Sequence, residues 1–151
     1  MQKLQITDAD IAEFNHLVRG IKFFAAMNMG LLEKILAHVS IYGFKKGENV
    51  CRQGDPGDSF YVVREGKLKV TIREAFFFSR TVAQLGPGNC FGEMALLNGK
   101  PRNATVSCEE DAKVFMLLAE SFNEVLRQNP SFKAEINKLA SEREFENIHN
   151  K

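Results

Sequence analysis

Closely spaced turn signals divide the middle of the chain, from about residue 41 to residue 118, into short segments. Glycine accepts positive φ, proline fixes φ and aspartate hydrogen-bonds its own backbone, so clusters of these residues favour tight turns. Such clusters recur at Lys46–Glu48, Gly54–Asp58, Glu65–Gly66 and Gly86–Gly88. One segment between them alternates strictly, with Leu68, Val70 and Ile72 on one face. The pattern predicts a mainly β fold, an antiparallel β-roll or jelly-roll of short strands.

Helical periodicity flanks this region on both sides. Thr7 and Asp8 are plausible N-caps for a first helix, and Asn129-Pro130 is typical of a helix end. The apolar positions at helical spacing are Ile11, Phe14, Leu17, Val18, Leu31, Leu32, Ile35, Leu36 and Val39 before the strands, and Phe132, Ile136 and Leu139 after them. We expect a single domain over residues 1–151, with helices at about 7–39, a β-roll at about 41–118 and C-terminal helices at about 120–148.

Composition narrows the function classes. The chain has 151 residues, and its 20 Lys and Arg nearly balance its 19 Asp and Glu, without the basic clusters typical of nucleic-acid binding. Its three cysteines are widely spaced and odd in number, which argues against a disulfide framework or a zinc site and favours a reducing cytoplasm. No apolar run approaches the ~20 residues that span a bilayer. We therefore expect a cytoplasmic chain that binds neither nucleic acid nor membrane.

The segment from Gly88 to Val106 carries the chemistry. Gly92 allows close approach to the main chain, and the predicted helical turn that begins at Glu93 exposes unpaired amides that favour a bound anion. Pro101 restricts the backbone that leads to Arg102. The guanidinium of Arg102 can bind a phosphate through two charge-assisted hydrogen bonds. Glu93 beside a phosphate is understandable if it accepts a hydrogen bond from a sugar hydroxyl. One such acceptor and one such arginine indicate a nucleotide.

Two stretches of this segment resemble the phosphate-binding cassette of the cyclic nucleotide-binding domain family. They are Phe91-Gly92-Glu93-Met94-Ala95-Leu96-Leu97 and Pro101-Arg102-Asn103-Ala104-Thr105-Val106. The resemblance extends over nearly the whole chain and is closest to the ion-channel members. It implies that Glu93 binds the ribose 2′-hydroxyl and Arg102 the cyclic phosphate. Amides of the Met94–Ala95 turn and the Asn103–Ala104 strand would complete the site, beside Gly92.

The resemblance leaves the choice of nucleotide open. Family members that favour cyclic GMP often carry threonine after the cassette arginine, and cyclic AMP binders often carry alanine, whereas this chain has Asn103. We expect cyclic AMP, with cyclic GMP as the alternative. The resemblance also implies that the C-terminal helices form a lid, in which Arg143 contacts the base. Phe132, Ile136 and Leu139 are more often packing residues than base contacts, and among them we expect Leu139 to touch the base. A solvated surface arginine is an equal interpretation of Arg143.

We therefore expect a cyclic nucleotide sensor or regulatory binding module, not an enzyme. A β-barrel metalloenzyme needs several converging ligands, but His16, His38 and His149 all lie outside the strand region. A second alternative is a relative of DNA-binding regulators that lacks its output domain. Free-standing protein and fragment of a larger one are both compatible with the sequence.

Three successive phenylalanines, Phe76 to Phe78, occupy a position where the family usually has a polar hairpin tip. Successive residues of a strand point to opposite faces, so the three rings cannot all reach a core. The patch indicates a protein partner or self-association through this hairpin. The alternative is packing against the first helix.

Overall fold

A computed structural model describes residues 1–25, 27, 29–75, 78–92, 99, 101–131, 133–134 and 138. The strands are β1 (Gln2–Leu4), β2 (Ser40–Phe44), β3 (Asn49–Cys51), β4 (Ser59–Glu65), β5 (Leu68–Ala75), β6 (Phe78–Leu85), β7 (Cys90–Phe91), β8 (Thr105–Cys108) and β9 (Ala112–Leu118). The helices are α1 (Asp8–Val18), α2 (Lys22–Ala25), α3 (Met29–Leu36) and α4 (Ala119–Arg127).

The strands of the described residues form two sheets. Sheet A has the order β1-β2-β9-β4-β7, and sheet B has the order β3-β8-β5-β6. Neighbouring strands are antiparallel in both sheets. The predicted β-roll with flanking helices is thus confirmed.

The central strands β4 and β9 of sheet A are covered on both faces. Phe60 and Val62 of β4 contact the helices in a first hydrophobic cluster, whereas Tyr61 and Val63 belong to a second cluster that includes residues of sheet B. The same alternation continues on β9, where Phe115 enters the first cluster. A strand covered on both faces needs apolar side chains at every position, which explains the unbroken apolar run of β4.

The helices follow the sequence signals closely. Thr7 is the N-cap of α1, and its hydroxyl accepts a hydrogen bond from the amide of Asp10, while the Asp10 carboxylate accepts one from the Thr7 amide. This reciprocal capping box, with the Thr7 backbone bond as its largest contribution, lowers the pKa of Asp10. In α3, Leu31, Leu32 and Ile35 are buried as predicted.

Two short elements were not predicted as separate elements. β1 pairs with β2 through residues Gln2 to Leu4, and α2 occupies Lys22–Ala25. Elements of this length are too short for either period of hydrophobicity to be visible in the sequence. The backbone pairing with β2 therefore decides the conformation of β1.

Candidate functional site

The predicted site residues that the structure describes lie on two neighbouring segments. Gly92 directly follows β7, and Arg102, Asn103 and Ala104 directly precede β8. Ala104 is buried, whereas Asn103 is exposed. The other predicted site residues lie outside the described part of the chain: Glu93, Met94, Ala95, Leu139 and Arg143.

The guanidinium of Arg102 is buried against the first residues of β4. Its side chain is 8% exposed. Nη2 donates to the carbonyl oxygen of Ser59 at 2.5 Å and contacts the Ser59 hydroxyl at 3.3 Å. The guanidinium carbon lies 5.6 Å from the centre of the Tyr61 ring, in cation–π contact. Strand β4 therefore positions the head group that the sequence assigns to phosphate.

The charge of Arg102 lacks a close anionic partner among the described residues. Among the described residues, the nearest carboxylate oxygen is Asp58 Oδ1, which lies 4.0 Å from Nη2, and the Asp58 side chain is 75% exposed. A carbonyl, a hydroxyl and an aromatic ring are neutral partners. Because a buried charge is costly without an opposite one, this arrangement is electrostatically suited to an additional anion.

The main chain of Arg102 is fixed by the turn between β3 and β4, residues Arg52–Asp58, which we call the 52–58 turn. The Arg102 amide donates to the Asp55 carbonyl at 2.8 Å, and the Gly54 amide donates to the Arg102 carbonyl at 2.8 Å. The Gln53 amide donates to Thr105 Oγ1 at 2.9 Å. These bonds place the start of β8, and with it the arginine, beside β4.

Gly92 allows the closest approach in the site. Its φ is +83°, and a Cβ at this position would lie 2.4 Å from Arg102 Nη1 and 2.6 Å from the Ser59 carbonyl oxygen. The sequence indicated that Gly92 makes room for a ligand. In the structure, the groups nearest to it are Arg102 and Ser59, so glycine here permits the arginine to pack against β4.

Ser59 and Tyr61 belong to the site, although the sequence analysis did not single them out as site residues. The Ser59 hydroxyl donates to Tyr61 Oη at 2.9 Å, and the Tyr61 ring stacks on Phe91 with 4.8 Å between centroids. Burial raises the pKa of Tyr61, opposed by the Ser59 bond and the charge of Arg102. A serine that is 2% exposed inside an apolar strand is the sequence signal for this cluster, but its partner is visible only in the fold.

Within the described residues, no group of three or more His, Cys, Asp or Glu side chains could hold a metal ion. In the same part of the chain, no helix has the length and apolar character needed to cross a membrane.

Comparison with known proteins identifies proteins that are similar to this chain. The chain is 42% identical over 96 residues to a cAMP-dependent protein kinase regulatory subunit of Dictyostelium discoideum, covering 57% of the chain and 29% of that protein. It is 33% identical over 106 residues to a cGMP-dependent protein kinase of Toxoplasma gondii, covering 70% of the chain and 10% of the kinase. A cyclic nucleotide-gated potassium channel of Mesorhizobium japonicum is 30% identical over 139 residues, 92% of the chain and 37% of the channel. The chain thus spans well under half the length of these relatives.

Comparison of the fold with solved structures agrees with the sequence comparison. The regulatory domain of Toxoplasma gondii PKA, solved with cAMP, superimposes with a TM-score of 0.73 at 26% identity, over 93% of this chain and 53% of that one. The sequence profile described as the cyclic nucleotide-binding domain matches residues 43–129. The chain therefore belongs to the cyclic nucleotide-binding domain family and is a cyclic nucleotide-binding regulatory domain.

Proposed function

We propose that this domain is a non-catalytic cyclic AMP sensor in which Arg102 binds the cyclic phosphate and Glu93 the ribose 2′-hydroxyl. The remaining residues of the proposed site are Gly92, Met94, Ala95, Asn103 and Ala104 around the phosphate and Leu139 and Arg143 at the base. The observation that carries the proposal is the buried guanidinium of Arg102, whose nearest described carboxylate is 4.0 Å away and mostly exposed.

The contacts of Arg102 suggest how phosphate binds. Its Nη2 is held by the neutral carbonyl of Ser59, and a charge-assisted bond to a phosphate oxygen is roughly twice as strong as a bond between neutral groups. A phosphate oxygen therefore binds the guanidinium more strongly than the Ser59 carbonyl does. The guanidinium has five N–H donors, so it can bind both groups. The Tyr61 ring keeps the guanidinium plane in place during this exchange.

The preference for cyclic AMP is supported by relatives. The similar regulatory subunit is named for cAMP, and the similar PKA regulatory domain was solved with it. Cyclic GMP is the alternative, since a cGMP-dependent kinase is also similar. Asn103 is exposed beside Arg102, where its side chain is free to lean towards a base edge.

The wider role follows from the family and the sequence. We propose that residues 1–151 form a single domain that acts in the cytoplasm, alone or as part of a larger protein. Closure of a C-terminal lid, residues 131–148, over the base would convert binding into a signal. Phe78 is 73% exposed, so its ring does not pack against the first helix and is available to a protein partner; Phe76 and Phe77 lie outside the described residues.

Calorimetric titration with cyclic AMP and cyclic GMP tests the proposal. Arg102→Ala should weaken binding of either nucleotide by ~2–5 kcal/mol, because the phosphate loses its buried charged partner. Arg80→Ala is the matched control, because Arg80 is an exposed arginine paired with Glu74 at 2.7 Å. A folded Arg102→Ala protein that binds cyclic AMP as tightly as the wild type would refute the assignment.

The same titrations separate the sugar and base contacts. Glu93→Ala should cost about 1.5–3 kcal/mol with cyclic AMP and much less with its 2′-deoxy analogue. Asn103→Thr should favour cyclic GMP by ~1 kcal/mol relative to cyclic AMP. If both nucleotides lose affinity by one common factor, Asn103 does not select the base.

A further inference from the structure

A polar pocket lies on sheet B, and Arg102 is not part of its described lining. Its volume is 680 Å³, within the range of about 300–1,000 Å³ that is typical of small-molecule sites. The side chains that give it its chemistry are Asn49, Arg52, Thr71, Arg73, Ser79 and Thr105. Gln53 and Gly54 complete the described lining, which contains two arginines and no carboxylate.

Strand register brings these side chains to one face. Thr71 pairs with Thr105, and Arg73 pairs with Ser79 across the neighbouring strand. Thr71 and Arg73 are two residues apart on β5 and point the same way. Val70, on the opposite face of β5, packs against the second hydrophobic cluster, so the pocket lies on the outer face of sheet B.

The Gln53 side chain hydrogen-bonds the 52–58 turn to β5. These bonds hold the backbones of Arg52 and Arg73 beside each other. Its Oε1 accepts from the Arg73 amide at 2.8 Å, and its Nε2 donates to the Arg73 carbonyl at 3.4 Å. The side-chain amide thus pairs with β5 as a backbone peptide group would, beyond the last β5–β8 pair at Thr71. Arg52 precedes Gln53 directly, so the backbones of both arginines are held at the pocket.

The nearby acids already have hydrogen-bond or ion-pair partners. Glu74 pairs with Arg80 at 2.7 Å, and Asp55 Oδ2 accepts from the backbone amide of Arg52 at 3.1 Å. Within the described residues, neither Arg52 nor Arg73 has a side-chain ion pair. Two like charges that share a pocket repel each other, and an anion between them relieves that repulsion.

We propose that this pocket binds a phosphate group, separately from the cyclic nucleotide, through the guanidinium groups of Arg52 and Arg73. Guanidinium forks match phosphate oxygens in pairs, and the hydroxyls of Thr71, Ser79 and Thr105 add neutral donors. The Thr105 oxygen already accepts from the Gln53 amide, which leaves its proton free to donate.

Nuclear magnetic resonance titration with inorganic phosphate at constant ionic strength tests this proposal. Backbone amides of Gln53, Thr71, Ser79 and Thr105 should shift saturably in the wild type and equally in Arg102→Ala. In the double variant Arg52→Gln/Arg73→Gln the dissociation constant should rise at least ~10-fold, because two charged partners are lost. Arg127→Gln, which removes an arginine of α4 that pairs with Glu124 outside the lining, should leave it unchanged.

Each outcome decides the assignment. Absent or non-saturating shifts, an unchanged double variant, or a response lost in Arg102→Ala would overturn it. A parallel titration of Arg102→Ala with adenosine 5′-monophosphate distinguishes the source of the phosphate. Tighter binding than inorganic phosphate identifies a nucleotide-borne group, and equal binding identifies the free anion.

Discussion

Gly92 is the position at which a single methyl group tests the geometry of the site. The Cβ of an alanine would lie 2.6 Å from the Ser59 carbonyl oxygen, a backbone atom of the buried strand β4, and 2.4 Å from Arg102 Nη1. The arginine head can move aside, but the carbonyl cannot without displacing the strand. The positive φ adds a left-handed strain of ~1 kcal/mol or more for any residue with a Cβ.

Gly92→Ala should therefore destabilise the domain by about 3 kcal/mol in urea unfolding, as strain and clash add. Gly47→Ala is the matched control: its φ is +91°, and nothing lies within 4 Å of the point where its Cβ would stand, so it reports strain alone. We expect Gly47→Ala to lower the free energy of unfolding by only ~1 kcal/mol. Equal losses in the two variants would mean that Gly92 is not closely packed against Ser59.

The sequence predicted Arg102 as a binding residue but did not predict which residues surround it. The order of glycine, proline and arginine in the cassette is local and can be read directly, and the structure then places Gly92 and Arg102 in contact. Ser59 and Tyr61 are separated from Arg102 by some 40 residues of sequence. Their contact with Arg102 depends on the hydrogen bonds between the 52–58 turn and the start of β8. The periodicity of apolar residues in the sequence does not predict these bonds.

The 52–58 turn joins the arginine of the site to the hairpin of β5 and β6. It bonds to Arg102 through Gly54 and Asp55, and to Arg73 through the side chain of Gln53. Arg73 lies beyond the last residue pair between β5 and β8, so the acceptor of its amide proton is Gln53. The side chain of one exposed glutamine thus continues a backbone sheet.

Gln53→Ala should accelerate hydrogen exchange of the Arg73 amide by about fivefold, since the net value of one hydrogen bond is ~1 kcal/mol. Gln84→Ala is the control, because the Gln84 side chain bonds only the side chain of Glu109, at 3.3 Å, among the described contacts. Unchanged exchange at Arg73 in Gln53→Ala would show that β5 is ordered without the turn.

Longer segments were predictable from pattern, and short ones were not. α1 carries a cap and an apolar stripe, α3 carries an apolar stripe, and the strands of the roll have turn residues near their ends. β1 and α2 have neither, and they form because β2 and the helical cluster offer a surface to them. Tertiary contacts therefore determine the conformation of segments that have no strong local preference.

Sheet A couples the two hydrophobic clusters into one structure. Val114 and Phe115 are adjacent on β9, but Val114 lies in the second cluster and Phe115 in the first, where its ring contacts Phe14 edge-on at 5.2 Å. Both side chains are 0% exposed. Because one strand supplies both clusters, neither cluster can be exposed without disrupting the sheet that supports the other.

A thiol of the second cluster can report on this coupling. Cys108 is buried, and burial, with the nearby charges of Glu48 and Asp111, raises its pKa to about 11. The thiolate is the reactive form, so alkylation of the native state at pH 8 should be negligible and should proceed through opening of the fold. The labelling rate of Cys108, followed by peptide mass spectrometry, then measures how often the second cluster opens.

Phe115→Leu, which alters only the first cluster, should nevertheless accelerate labelling of Cys108. The substitution should cost ~1–2 kcal/mol through the cavity that it leaves, and ~1.4 kcal/mol corresponds to a tenfold larger open population. Val114→Ala, in the same cluster as Cys108, should cost about 2 kcal/mol and provides the direct comparison.

If the shared sheet makes unfolding cooperative, both variants increase the labelling rate by the factor that their urea unfolding free energies predict. Labelling that responds to Val114→Ala but not to Phe115→Leu would show that the second cluster opens while the helices stay packed, and sheet A would then not be the coupling element.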